Sequence, residues 1–437
     1  MKEYLIHLAQ AYPKFRKAEL ESLADLYNIK LDLSHHNERN PFMIVNLESD
    51  EEASCLIDRA VLSKGIYELW GQGTTLEELH EDVKIRSTNY AREYENKSFK
   101  FEFIGYKGKK NKKEKVKIIE TFSYLGFKGP IKMTHPDEIY SVLEEYEVSG
   151  QDKATEPIKM WFGRRIKLSA RSLNILDTYD LRVRKYIGTT SFEAELSLVS
   201  CNIGQVGPGK VVYDPFTGTG SFLVSAAHYG AITMGSDIDV RALKGKGPEC
   251  SIYGNLKQYG ISLNFLDLLA MDFTNNAIRK TFKIDSIICD PPYGVREGLK
   301  VCGTRDPQKA IEREQVIING EKAHLRRDFI APKKPYELAD LLQDLLSFAA
   351  ERLPINGRLA FWMPTANDNY KVNQVPQHEN LELLYNLEQE FNKWSRRLLV
   401  YVKRDISFQG ETRNGLKEVH TKSFRERYFK SFNDSGV

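Results

Sequence analysis

The segment VVYDPFTGTGSFLVSAAHYG, residues 211–230, has the pattern of a buried strand, a glycine turn and a helix. Gly218 and Gly220 let the backbone pass close to a ligand at the carboxyl end of the strand, where open parallel sheets bind their ligands. The dinucleotide fingerprint needs a third glycine three residues after Gly220, and Leu223 stands there instead. Asp214, just upstream, disfavours a pyrophosphate and favours a cationic group.

The alternation of strand and helix extends over residues 191–415, where β-branched apolar runs alternate with helical segments. This order predicts an α/β fold with a doubly wound, mostly parallel sheet. Residues 298–335 interrupt the alternation with mixed charge and no periodicity, which predicts a long insertion or a mobile loop. Residues 416–437 have the pattern of a basic helix that ends in a frayed tail.

Two smaller regions precede this predicted sheet. Residues 1–65 alternate strand-like and helical segments, which predicts a small α+β domain of the ferredoxin-like type. Residues 66–165 are interpreted as a second domain, with a solvated hairpin loop at YKGKKNKKEKVK (106–117) and a possible helix at HPDEIYSVLEEY (135–146). Residues 166–190 are interpreted as a basic linker.

The charge distribution bears on the choice of partner. The 437-residue chain has a net charge of only +3, so a nucleic-acid surface has to come from local clustering. Residues 97–117 contain nine lysines and two glutamates, and residues 156–185 contain eight basic and three acidic side chains. A solvated surface explains each cluster singly, but two basic segments flanking one domain favour a polyanion. The candidate RNA-binding residues are Arg164, Arg165, Lys167, Arg171, Arg182, Arg184 and Lys185.

The sequence also limits the compartment. No uncharged apolar run approaches the ~18 residues of a membrane-spanning helix. The opening MKEYLIHLAQ has a glutamate at position 3 and no long apolar core, so we expect no signal peptide. Five scattered cysteines without a C-x-x-C pair argue against a zinc site and a disulfide framework, and they favour a reducing compartment. We therefore expect a cytoplasmic protein that binds no metal.

Three acids follow three consecutive predicted strands beside the glycine turn. Asp237 ends the next strand at the spacing from Asp214 at which an acid binds ribose hydroxyls. Asp272 follows the third strand and is a candidate acceptor for an adenine amino group. Each acid alone is explained by capping, but the three together outline a site for a nucleoside with a positive charge. S-adenosyl-L-methionine (SAM) fits this description.

The stretch DPPY, Asp290 to Tyr293, follows the fourth predicted strand. An exocyclic amino nitrogen is a poor nucleophile because its lone pair is conjugated into the base. The Asp290 carboxylate and the Pro291 carbonyl can hold its two hydrogens, which turns the lone pair towards the methyl donor. Tyr293 is a candidate stacking surface for the base, and Asp290 a candidate proton acceptor. The alternative reading is a rigid turn capped by an acid.

These motifs resemble those of a known enzyme class. DPFTGTGS, GSDID, AMD and DPPYGVREG are similar to the ordered motifs of class I SAM-dependent amino-methyltransferases. Residues 122–296 more narrowly resemble the catalytic subunits of eukaryotic tRNA (guanine(10)-N2)-methyltransferases. The resemblance implies a Rossmann-like methyltransferase domain preceded by a THUMP domain, which grips tRNA, over residues 66–165. It also implies a heterodimer with a small zinc-binding activator subunit.

The resemblance assigns residues as well. The implied catalytic set is Asp290, Pro291, Pro292 and Tyr293. The implied cofactor-binding set is Asp214, Phe216, Gly218, Gly220, Asp237 and Asp272, to which we add the neighbouring Thr217, Thr219, Ile238 and Ser191. The stretch TTSFEA, residues 189–194, resembles the motif that closes over the methionine moiety.

Other functions are compatible with parts of this pattern. DNA adenine or cytosine amino-methylation uses the same fourth-strand motif, but the basic α+β module favours structured RNA. Release-factor glutamine methyltransferases have Asn where this chain has Asp290. A non-catalytic RNA-binding scaffold is the third alternative, since a fold does not prove activity.

Overall fold

Two compact units make up the computed structural model, Met1–Ile175 and Leu176–Val437, and each is described separately. The structure describes residues 1–87, 91–149, 152–153, 156–293, 299–304, 306–326, 329, 331–367, 375–392 and 394–405. The predicted C-terminal tail, residues 416–437, lies outside these described residues.

The first unit is built on a six-stranded sheet with the order β2-β1-β3-β8-β5-β4. The strands of the unit are β1 (Lys2–Leu8), β2 (Phe42–Leu47), β3 (Ser63–Gly73), β4 (Phe99–Tyr106), β5 (Glu138–Glu145), β6 (Val148–Ser149), β7 (Asp152–Lys153) and β8 (Lys159–Leu168). Strands β6 and β7 pair with each other outside the six-stranded sheet. Its helices are α1 (Pro13–Tyr27), α2 (Asp50–Asp58), α3 (Leu76–Ser87), α4 (Ala91–Tyr94) and α5 (Lys112–Thr121). Neighbouring strands of the sheet are antiparallel except β4 and β5.

Strand β3 spans the predicted boundary between residues 65 and 66, and it pairs with β1 on one side and β8 on the other. Strands from both predicted N-terminal domains therefore share one sheet. The individual domain boundaries remain predictions.

Two local predictions in this unit are wrong. The lysine-rich segment expected as a hairpin loop contains helix α5, which a capping box starts: the Asn111 side chain accepts from the Glu114 amide, and Glu114 accepts from the Asn111 amide. The expected helix at residues 135–146 is strand β5, buried along nearly its whole length. A strand buried on both faces lacks the alternation of apolar and polar residues that identifies a half-exposed strand.

The second unit contains the predicted doubly wound sheet, which is confirmed. Its seven strands have the order β11-β10-β9-β12-β17-β19-β18. The strands of the unit are β9 (Val211–Asp214), β10 (Ile232–Asp237), β11 (Phe265–Ala270), β12 (Ser286–Cys289), β13 (Lys300–Cys302), β14 (Ile317–Ile318), β15 (Glu321–Lys322), β16 (Lys333–Pro335), β17 (Arg358–Ala366), β18 (Leu381–Glu390) and β19 (Trp394–Lys403). The helices from residue 175 onward are α6 (Ile175–Tyr179), α7 (Ala194–Ile203), α8 (Ser221–His228), α9 (Val240–Lys244), α10 (Ile252–Gln258), α11 (Pro307–Glu314) and α12 (Leu338–Arg352).

The strand directions determine where a ligand site can form. Strands β11, β10, β9, β12 and β17 are parallel, and β19 and β18 complete the sheet with antiparallel pairings. The order reverses between β9 and β12, and ligands of such sheets bind at the carboxyl ends of the strands at this switch point. Helix α12 covers one face of the sheet with buried Leu341, Leu345 and Leu346, which belong to the same core cluster as Ile287 and Phe361.

The insertion at residues 298–335 contains regular structure. Strands β13 and β16 pair antiparallel at its base, and α11 and the hairpin β14–β15 lie between them. Val301 of β13 is buried, so the base of the insertion is attached to the unit. Among the described residues, every helix is too short or too polar to cross a lipid bilayer.

Candidate active site

A cavity of about 670 Å³ lies in the second unit at the carboxyl ends of β9, β10 and β12. Thirteen of the predicted catalytic and cofactor residues line it: Ser191, Asp214, Phe216, Thr217, Gly218, Thr219, Asp237, Ile238, Asp272, Asp290, Pro291, Pro292 and Tyr293. Parallel strand ends meet at one edge of a sheet, so residues up to about a hundred positions apart in sequence converge here. Gly220 shapes the turn instead of lining the cavity.

The turn between β9 and α8 depends on glycine at two positions. Gly218 has φ 52° and Gly220 has φ 80°, both in the left-handed region that other residues adopt at a cost. A Cβ at Gly220 would lie 2.9 Å from the Ile252 side chain, whereas one at Gly218 would meet no atom within 4 Å. The open space beside Gly218 is the cavity, so the backbone here can approach a ligand closely.

Asp237 fixes this turn in place. Its carboxylate accepts hydrogen bonds from the Gly218 amide and the Asp239 amide, both at 2.8 Å. On the other side of the turn, the hydroxyls of Ser191 and Thr219 are 2.7 Å apart, so the 189–194 stretch contacts the glycine turn. These contacts bring together four residues of the predicted cofactor-binding set.

The Asp272 side chain caps the helical turn Phe273–Asn275, which is the alternative interpretation given above for an acid at a strand end. One carboxylate oxygen accepts from the amide and hydroxyl of Thr274, and the other accepts from Asn275 at 3.1 Å and from the Cys302 amide at 2.6 Å. A carboxylate offers about four acceptor positions, and protein donors use all of them here. The predicted side-chain hydrogen bond from Asp272 to an adenine amino group would require one of these donors to leave.

Asp290 and Tyr293 are hydrogen-bonded to each other, with the tyrosine hydroxyl donating to one carboxylate oxygen. Burial raises the pKa of Asp290 to about 6, while the Tyr293 hydrogen bond and the Arg396 charge oppose that rise. Burial and the Asp290 charge also raise the pKa of Tyr293 well above its usual value. Tyr293 therefore stays a neutral donor that orients the carboxylate.

Asp214, Asp237 and Asp290 are three of the five carboxylates that line the cavity. Burial raises the pKa of Asp214 well above its usual value, and the nearby charges of Asp237 and Asp290 raise it further. Burial also raises the pKa of Asp237, against two backbone hydrogen bonds that lower it. Ionising several buried acids together is unfavourable unless a cation offsets their charge. The electrostatics of the cavity therefore favour a cationic ligand.

The sequence reasoning missed residues at two walls of the cavity. Trp394 and Arg396 alternate along β19 and both line the cavity, as do Leu299, Lys300 and Val301 at the base of the insertion. Nothing local to β19 identifies these side chains as site residues. They reach the cavity because β19 pairs with β17, which lies beside β12.

Comparison with known proteins gives matches over nearly the whole chain. Residues 2–171 match the Tmrp11 THUMP N-terminal domain family, and residues 182–303 match the RMKL-like methyltransferase domain family. The tRNA (guanine(10)-N(2))-methyltransferase of Saccharomyces cerevisiae is 54% identical over 99% of this chain and 100% of its own length. The chain belongs to the tRNA (guanine(10)-N(2))-methyltransferase family.

More distant members of this methyltransferase family align over similar lengths. The Schizosaccharomyces pombe protein of the same name is 35% identical over 99% of this chain and 97% of its own. The Homo sapiens protein is 33% identical over 98% and 95%, respectively. Among solved structures, the alignment with TrmN from Thermus thermophilus covers 92% of this chain and 99% of the TrmN chain at 16% identity, with a TM-score of 0.42.

The basic residues of this methyltransferase that lie in its first unit differ in exposure. Arg164 is buried and pairs with Asp50, with Glu68 at 2.9 Å and with Glu138 at 3.4 Å. Its guanidinium links β8 to α2, β3 and β5, and its burial leaves little surface for the RNA contact that the sequence predicted for Arg164. The other three are partly exposed: Arg165 pairs with Glu102, Lys167 pairs with Asp58, and Arg171 donates to the Val61 carbonyl.

The basic residues of the second unit divide in the same way. Arg184 is buried and donates to the Ser221 hydroxyl and the Tyr179 carbonyl, so it too has little surface for the predicted RNA contact. Arg182 is 86% exposed, and Lys185 is half exposed beside Glu249. Sequence clustering does not distinguish these cases, because a buried arginine with carboxylate or carbonyl partners looks the same in a sequence as an exposed one.

Proposed function

We propose that this chain transfers a methyl group from SAM to the exocyclic N2 of a guanosine in tRNA, at position 10 as in the names of its relatives. The observation that carries the proposal is the convergence of Asp214, Asp237 and the Asp290–Tyr293 stretch on one cavity. The names of the relatives favour guanosine in tRNA over an adenine or cytosine in DNA.

The residues at the glycine turn fit SAM. The open space at Gly218 accepts a ligand against the backbone, and Asp237 lies at the end of β10, where ribose hydroxyls are bound in such sheets. Asp214 supplies negative charge near the cation. When bound, SAM supplies an electrophilic methyl group on a positively charged sulfur.

Asp290 and Pro291 hold the amino group of the base. The carboxylate oxygen of Asp290 that does not accept from Tyr293 accepts one amine hydrogen, and the Pro291 carbonyl accepts the other. This arrangement withdraws the nitrogen lone pair from conjugation and orients it for attack. When the new N–C bond forms and the S–C bond breaks, the nitrogen loses a proton to Asp290, whose raised pKa suits a proton acceptor.

The Tyr293 hydroxyl fixes the rotamer of Asp290, and its ring offers a face to the base. For Asp272 we propose a positioning role, because its four hydrogen bonds join the segment after β11 to β13 beside the cavity. We propose that the adenine is bound by the apolar wall next to it, at Phe273 and Leu299, which line the cavity.

For RNA binding we propose the exposed basic side chains Arg182 and Lys185, together with the lysines around α5. The matched THUMP family supports this assignment for the first unit. The small zinc-binding activator subunit and the cytoplasmic compartment are expectations of the resemblance and of the cysteine pattern.

The test uses the full chain, with and without the expected activator subunit, and bulk unmodified tRNA with isotope-labelled SAM. Nucleoside analysis should find label in N2-methylguanosine, and sequencing should place it at position 10. Label only in another nucleoside, or label in DNA and not in tRNA, would contradict the proposal.

A further inference from the structure

Arg396 is a cavity-lining cation held in a fixed orientation. Its Nε and Nη2 donate to the Gln389 side-chain oxygen at 3.0 and 2.6 Å, and Nη2 is 3.3 Å from a Glu193 carboxylate oxygen. The guanidinium also lies over two rings, 4.3 Å from the centre of Phe192 and 4.9 Å from that of Trp362. A planar fork fixed by hydrogen bonds and stacked on aromatic faces is the arrangement that suits arginine and does not suit lysine.

The guanidinium of Arg396 can donate further hydrogen bonds. The described residues supply hydrogen-bond partners for Nε and Nη2 but none for Nη1. Arg396 shares the cavity with Asp290 and Tyr293, and its charge acts on both. A cationic donor therefore lies close to the groups that are proposed to hold the base.

The proposed substrate presents a matching acceptor. Guanine carries N2 and O6 on the same edge, so a base held through N2 by Asp290 places O6 a short distance further along that edge. In the DNA major groove, arginine donating to O6 and N7 of guanine is the commonest specific contact, so a guanidinium is a suitable donor for O6. Adenine lacks the 2-amino group altogether, whereas 2,6-diaminopurine keeps it and has an amino donor where guanine has O6, so an arginine at this point disfavours 2,6-diaminopurine.

We propose that Arg396 selects guanine as the substrate base by donating to O6 while Asp290 and Pro291 hold N2. The assignment rests on the proposed function and adds to it the residue that recognises the base. Glu193 and Gln389 are positioning residues in this scheme, because they act on the base only through the orientation of Arg396.

A purely structural role for Arg396 is the competing explanation. Its ion pair joins Glu193, which precedes α7, to the sheet, and losing that link would lower stability and activity on every substrate. If Arg396 recognises the base, in contrast, its replacement lowers activity only on substrates that carry O6. The two explanations therefore differ in the ratio of activities on different bases.

The experiment measures kcat/KM with three tRNA transcripts that carry guanosine, 2,6-diaminopurine riboside or 2-aminopurine riboside at the methylated position. All three keep the 2-amino group, whereas the analogues replace O6 with an amino group or a hydrogen. We expect the wild-type protein to prefer guanosine about 10- to 100-fold, and Arg396→Gln to lose roughly that factor on guanosine while changing less than about threefold on the analogues. Arg396→Lys, which keeps the charge and loses the fork, should fall between them.

Two controls isolate the effect. Arg397→Gln removes the same charge one residue further along β19, at a side chain that pairs with Glu388 and is not among those that line the cavity. It should leave the preference unchanged. The binding of S-adenosylhomocysteine, measured by calorimetry, reports whether the Arg396→Gln cavity is intact. The analogues also lack the guanine N1–H, but a preference caused by that hydrogen would persist in Arg396→Gln.

The outcomes are distinct. A preference that collapses only in the Arg396 variants supports the assignment. Equal losses on all three transcripts, or an unchanged preference, refute the assignment and leave the proposed function standing. A wild-type protein that, with the expected activator subunit present, methylates none of the transcripts and no natural tRNA refutes the proposed function and this assignment with it.

Discussion

Replacing Asp290 with asparagine is the sharpest perturbation of the proposed chemistry. The side chain keeps its size, and its remaining oxygen can still accept from the Tyr293 hydroxyl. The second position becomes an N–H donor and faces the amine hydrogens, which are donors too. The change therefore removes an acceptor, a negative charge and the proton acceptor together, with little change in packing.

The size of the effect follows from these losses. A hydrogen bond to a charged group contributes about 1.5–3 kcal/mol, which corresponds to roughly 10- to 150-fold in rate. A positioned general base contributes typically about 10²–10⁴-fold. These contributions overlap because one group makes both, so we expect the methylation rate to fall by at least about 100-fold.

Single-turnover methylation measures this rate directly, with enzyme in excess over tRNA and labelled SAM at saturation. Calorimetry should show that Asp290→Asn binds S-adenosylhomocysteine as the wild type does, while its affinity for the cationic SAM falls. Asp285→Asn is the matched control. Asp285 precedes β12 at the opposite end from Asp290, and its carboxylate accepts from the Val211 amide at 2.8 Å.

The control should cost about 1 kcal/mol of unfolding free energy and leave the rate unchanged. An Asp290→Asn protein that binds tRNA and methylates it within a few-fold of the wild-type rate would refute the reasoning. Equal rate losses in both variants would show that the strand, and not the carboxylate at its end, controls activity.

Three further outcomes are expected. The pKa of Asp290 is raised to about 6, and the ionised carboxylate accepts the amine hydrogen, so kcat/KM of the wild type should fall about tenfold from pH 7 to pH 5. The kcat/KM of Asp290→Asn should not change with pH over this range, and a wild type whose kcat/KM is equally independent of pH would contradict the prediction. Both Gly220→Ala and Gly218→Ala should add backbone strain of about 1–2 kcal/mol, but only Gly220→Ala also adds a clash, with the Ile252 side chain, so it should lower the unfolding temperature more. Gly218→Ala should instead weaken SAM binding, measured by calorimetry. Arg164→Gln should destabilise the first unit by about 3–5 kcal/mol in denaturant unfolding, because it removes the buried cation that pairs with Glu68 and Glu138 and leaves Lys2 and Lys97 as their basic partners. Arg182→Gln at an exposed pair should have no measurable effect on stability.

Much of the fold could be predicted because its signals are local. A β-branched run, a glycine turn and an amphipathic segment each lie within about twenty residues, and their repetition identified the doubly wound sheet. The acids at the strand ends followed from this, since parallel strands deliver their carboxyl ends to one edge. Asp214, Asp237 and Asp290 therefore appear together in the cavity as expected.

The misread elements show where local signals compete. At α5 the density of lysines suggested a loop, although the Asn111–Glu114 capping box is a helix start encoded in the sequence. At β5 the hydrophobic pattern was ambiguous, because burial on both faces removes the alternation. In the first case the sequence contained the decisive signal, and in the second it did not.

The sequence alone determined the order of the elements, the glycine turn and the acids that follow the parallel strands, because each depends on residues close together in the chain. Only the tertiary structure decided that Asp272 braces the cavity with its own hydrogen bonds, that Arg164 and Arg184 are buried, and that Arg396 reaches the Asp290 site. These facts depend on which distant strands pair and which side chains that pairing buries. Pairing is a property of the whole sheet, and no short segment encodes it.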